Sequence, residues 1–203
     1  MTPRSTAVRR TTAATTLALG LLAGCGDDAS TSSVDDENPW NEADVAFAAD
    51  MIPHHAQALV MVDMTRGRNL DPGLAALTDQ ILATQAPEIE LMADWLTSWE
   101  EPVPETMRDH ANAHGDGGHP DGTDHRDMPG MMSDEELDGL ESAAGESFEE
   151  MWLDMMIEHH EGAIEMAGTE IAEGEFPEAI ELAEQIRDGQ QAEIEQMEQL
   201  LAS

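Results

Sequence analysis

Apolar positions along this chain recur every three or four residues, and the runs begin and end on helix signals. Asn41 stands ahead of a run carrying Glu42 and Asp44 in its first turn, as a helix N-terminus favours. Helical spacing persists to about Met64, and Gly67 ends the run. Asp71-Pro72 opens a second helix, with Pro at the favoured first position, that continues to about Trp99. Ser133-Asp134-Glu135-Glu136 is a capping-box sequence for a third stretch, which breaks near Gly145 and resumes to about Glu173. Phe176-Pro177 starts the last helix, which continues to the C-terminus. No stretch alternates with period two, and Val, Ile, Phe and Tyr are scarce. The pattern predicts an all-α fold. It is a four-helix bundle of two helical hairpins, residues 40–101 and 134–203, joined by a long crossover over 102–133.

The hairpins are copies of one another. Met51, Ile52, His54, His55 and Met61 are answered by Met156, Ile157, His159, His160 and Met166 at a constant offset of 105 residues. The offset holds downstream without a gap, where Gln80, Gln85, Glu88 and Met92 meet Gln185, Gln190, Glu193 and Met197. At about 100° per residue, Phe47, Met51, His54, His55, Ala58, Met61 and Val62 share an arc of roughly 120°. Trp152, Met156, His159, His160, Ala163, Met166 and Ala167 share the equivalent arc, while Glu158, Glu161 and Glu165 project away from it. Both His pairs are therefore expected on core-facing stripes flanked by methionine. Pro53 lies inside the first of these helices and is expected to kink it, since it frees the carbonyl four residues back.

Charge changes where the protein is expected to work. Arg4, Arg9 and Arg10 precede a short apolar stretch ending in Leu22-Ala23-Gly24-Cys25, a pattern similar to the bacterial lipobox. Residues 1–24 then form a signal peptide, and Cys25, the one cysteine of the chain, is the lipidation site. Residues 25–39 are small, acidic and aperiodic, a flexible tether, and 40–203 form the folded domain. The implied location is outside the cytoplasm, anchored to the cell membrane by lipid. The whole chain carries 44 acids against 8 basic residues, a formal charge of −36. Such a field excludes nucleic acid as a partner and concentrates cations.

Candidate chemistry is confined to histidine and methionine. Imidazole and thioether together form a soft, uncharged donor set that suits Cu(I), while histidine alone also suits Cu(II) or Zn. The crossover adds His110, His114, His119 and His125, a further candidate metal-binding group, together with Met128, Met131 and Met132. A methionine stripe at helical spacing is also what an ordinary core looks like. The paired histidines at duplicated positions point beyond that reading. No Glu-x-x-His occurs, which argues against a ferritin-type di-iron centre. No nucleophile elbow, phosphate loop or thiol pair is present either, and no catalytic residue is expected.

The segments FAADMIPHHAQALVM (47–61), MPGMMSDEE (128–136) and WLDMMIEHHEGAIEMA (152–167) resemble the bacterial family called domain of unknown function 305. The resemblance covers about residues 40–203 and implies an exported, ferritin-like four-helix protein, with copper binding and tolerance linked to some members. Carried over by position, it implies metal ligation by Met51, His54, His55 and Met61, by Met128, Met131 and Met132, and by Met156, His159, His160 and Met166. The expectation is a copper-binding envelope lipoprotein that sequesters or transfers the ion. The alternatives are an oxidase acting on Cu(I) and an envelope interaction module whose histidines are structural. Residues 110–132 are expected to lack fixed structure without metal, with Met128 to Met132 closing over the histidines when copper binds.

Overall fold

The computed structural model describes residues 38–106 and 128–203. The signal segment, Cys25 and the tether up to residue 37 lie outside the described residues, as do His110, His114, His119 and His125. The described part is built from five helices and, among the described residues, no strand: α1 Glu42–Asp63, α2 Pro72–Ser98, α3 Asp134–Ser142, α4 Glu146–Glu173 and α5 Pro177–Leu201. No helix among the described residues is long and apolar enough to cross a membrane.

The expected start signals all operate. The Asn41 side chain accepts from the N–H of Asp44 at 3.1 Å, and the Asn41 N–H donates to Asp44 Oδ2 at 2.6 Å, a closed capping box. Ser133 and Glu136 form a second one at α3. The third stretch breaks between Ser142 and Glu146, where Gly145 takes φ +60, so α3 is a separate short helix. α1 continues as one helix through Pro53, and α2 through Pro87.

α1 pairs with α2 and α4 with α5, and the two histidine-bearing helices α1 and α4 pack on each other. The core they enclose is divided in two. One apolar cluster gathers Met61, Leu77, Ile81, Phe148, Trp152, Met156 and Met197. The other gathers Phe47, Met51, Ile52, Met92, Leu96, Ala183 and Ile186. Between the two clusters each long helix contributes a pair of buried or half-buried polar residues: His54 and His55, Gln85 and Glu88, His159 and His160, Gln190 and Glu193. The molecule therefore carries a polar layer across the middle of its core, composed of pairs that obey the internal repeat.

Candidate metal centre

The four described histidines, His54, His55, His159 and His160, are all buried, at 0% exposure. Three have one ring nitrogen held by a partner that can only accept. His54 Nε2 donates to the Pro129 carbonyl at 3.0 Å, His55 Nε2 to Glu88 at 2.8 Å, and His160 Nε2 to Glu193 at 2.7 Å. With the hydrogen placed on Nε2, each neutral ring presents its lone pair at Nδ1. Those three Nδ1 atoms are buried and have no hydrogen-bond partner in the protein, and neither nitrogen of His159 has one. Buried polar atoms are almost always satisfied, so a cluster of orphaned lone pairs in one layer points to a ligand. Carboxylate behind imidazole is also the arrangement that orients a metal-binding histidine and raises its basicity.

The electrostatics keep the layer ready for a cation. Burial, reinforced by His55, pushes the His54 pKa down to about 3. Burial drives His159 well below its ordinary value, with His54, His160 and His55 adding to the effect. His160 is lowered too, because burial outweighs the pull of Glu193. The rings of His54 and His159 lie with centroids 3.9 Å apart, a distance open to neutral imidazoles and costly for charged ones.

Among the described residues no three His, Cys, Asp or Glu side chains converge to hold an ion by themselves. A metal in this layer needs other donors, and thioethers are at hand. Met51, Met61 and Met156 are fully buried, Met51 in one flanking cluster and Met61 and Met156 in the other. Met166 departs from its duplicate Met61. It is half-buried and borders a depression between α1 and α4, because the facing α1 positions Ala43 and Ala46 are too small to cover it.

The near end of the crossover is docked over the layer. Met131 N–H bonds to the Met128 carbonyl at 3.2 Å across a Pro129-Gly130 corner, with Gly130 at φ +73. Gln57 holds the segment through both ends of its amide, to the Met132 carbonyl at 2.8 Å and the Met132 N–H at 2.7 Å. On α4 the turn rests on Gly162, where an added Cβ would lie 2.1 Å from the Pro129 oxygen. Gln57 and Gly162 are the same position in the two repeats: one copy supplies the hydrogen bonds, the other the room. Residues 128–132 thus lie over the histidine layer. Main-chain and amide hydrogen bonds hold them, leaving Met132 buried and Met128 and Met131 half-buried.

Residues 44–201 match the family described as "Domain of unknown function (DUF305)". The chain belongs to this family. A DUF305 protein of Streptomyces coelicolor, assigned as secreted, is 31% identical to it, with 79% of this chain and 92% of that one covered and a TM-score of 0.66. A DUF305 fragment from Deinococcus radiodurans is 30% identical, covering 81% and 99%, with a TM-score of 0.67. CopM in its Cu(II)-bound form is 31% identical, covering 78% and 95%, with a TM-score of 0.61. CopM has also been solved in Cu(I)-bound and Ag-bound forms. No curated protein matches the chain.

The layer of this DUF305 chain holds more than sequence reasoning named. Glu88 and Glu193, the carboxylates behind His55 and His160, and the buried Gln57, Gln85 and Gln190 were not among the expected site residues. Four of these five recur at the repeat offset, which was the signal that could have found them.

Proposed function

We propose that this DUF305 chain is a copper-binding envelope lipoprotein, which takes up the ion in its imidazole layer and sequesters or passes it on. The observation that carries the reading is the set of buried imidazoles with orphaned ring nitrogens, bordered on both sides by buried thioethers. CopM, of similar sequence and fold, is known in copper-bound form, which supports the same reading. His54, His55, His159 and His160 would bind through Nδ1, with thioethers from Met51, Met61, Met156 and the docked turn completing a soft set that favours Cu(I). Glu88 and Glu193 would balance the charge of the ion. We read the chain as a binder rather than an enzyme, since imidazoles at 0% exposure present no open face to a second substrate.

The test is metal analysis of protein purified from copper-supplemented cells. Copper retained by the wild-type chain, and lost from variants with both histidines of either pair replaced by Leu, is the expected result. Equal copper content in all of them would defeat the reading. The lipid anchor is tested separately. Cys25→Ser is expected to move the protein from the membrane fraction to the soluble one with its helical content intact.

A further inference from the structure

An ion bound for four buried imidazoles must cross the wall around them, and the wall differs from side to side. Over His54 the cover is main chain. The Pro129 carbonyl accepts from that ring and lies so close to α4 that Gly162 has no room for a Cβ. That turn cannot swing aside without undoing its paired bonds to Gln57.

Between α2 and α5 the cover is side chain. Each of these helices packs closely on its own hairpin partner and only thinly on the other, leaving a groove of about 150 Å³. Thr84 and Ala192 stand exposed at its mouth. Its lining includes Gln85, Gln190, Glu88 and Glu193. Gln85 is 1% exposed, and neither its amide nitrogen nor its oxygen has a partner in the protein. The amide oxygen of Gln190, a residue 4% exposed, is likewise unpartnered. Buried carboxamides left unpaired on a groove wall are built to meet something polar that enters it. The carboxylates beside them are the same two that hold His55 and His160.

We propose that the groove between α2 and α5 is the entrance by which copper ions reach the imidazole layer, with Glu88 and Glu193 as its gate; this rests on the copper-binding reading above. The acidic lining draws the cation in, and the carboxamide oxygens of Gln85 and Gln190 replace part of its hydration. A glutamate then exchanges its imidazole N–H for the ion, the ring turns, and the ion passes inward to nitrogen and sulfur. Long side chains make such a gate because they move by rotamer changes, without disturbing a helix.

The experiment is stopped-flow transfer of Cu(I) between a coloured bicinchoninate complex and the full chain. Thr84→Trp and Ala192→Trp plug the mouth. Thr84→Lys and Ala192→Lys place a cation there, at exposed helical positions where the fold tolerates change and circular dichroism verifies it. Uptake and release are expected to slow together, by roughly tenfold or more for the Lys variants, while the equilibrium Kd stays unchanged. Ala46→Trp, at the depression beside Met166, is expected to leave both rates as they are. Wild-type rates in the Trp and Lys variants overturn the entrance and leave copper binding standing. Slowing by Ala46→Trp instead overturns it in favour of the other face. A wild-type chain that takes up no copper overturns the copper reading and the entrance with it.

Discussion

His159 shows at the scale of one residue how a binding site sets itself against stability. It is fully buried, its ring tilted at 40° against that of His54, with both ring nitrogens unpartnered in the protein. A buried polar group in that condition is destabilising by about 1–3 kcal/mol, and an apolar side chain of similar volume removes the penalty. His159→Leu is therefore expected to stabilise the metal-free protein by about 1 kcal/mol. The same variant should bind copper more weakly than wild type. Urea unfolding and copper competition on one preparation check both halves. A variant that is less stable and binds as well would make the ring a structural residue.

At the scale of elements, the crossover turn and α4 are locked by backbone contact. Gly162→Ala would drive a methyl into the Pro129 carbonyl, 2.1 Å away, and neither main chain yields cheaply. The expected cost is about 1–3 kcal/mol, as for other overpacked sites. Gly168→Ala, on the same helix with nothing within 4 Å, should be neutral or slightly stabilising. Chemical denaturation of the two variants tests the difference. The contrast also marks what could be read from sequence. Helix starts at Asn41, Asp71 and Ser133 were legible because caps are local, and the inward turn of the His pairs because periodicity is local. That Gly162 serves as a berth for Pro129 was not, since a missing side chain gains meaning only from what lies against it. Nor were Glu88 and Glu193 legible as partners of His55 and His160. Their contacts span 33 residues and depend on how each hairpin closes. Only their shared place in the repeat set them apart from the other acids.

For the whole molecule, stability against pH follows from two sets of buried groups with opposite signs. His54, His159 and His160 have folded pKa values below their ordinary 6.5. The unfolded chain takes up their protons first, so their contribution is present above pH 6.5 and is lost as pH falls towards the folded values, about 3 for His54. Glu170, at 1% exposure on α4, runs the other way. Burial, reinforced by the neighbouring Asp44 carboxylate, raises it from 4.5 to about 8. Its contribution is full below pH 4.5 and is lost as pH rises through about 8. Burial works to raise Asp44 as well, but the hydrogen bonds it accepts from the N–H groups of Asn41, Phe176 and Glu175 hold it below the usual range. Asp44 thus fastens the start of α1 to the α4–α5 connection, accepting from the N–H groups of Glu175 at 3.1 Å and Phe176 at 2.9 Å. The slope from neutral pH to about 8 is then expected to belong to Glu170. Glu170→Gln keeps the shape of the side chain without a proton to lose, and thermal unfolding should show its alkaline limb flattened while the acid limb stays as in wild type. An unchanged alkaline limb would mean that Glu170 is already ionised in the fold.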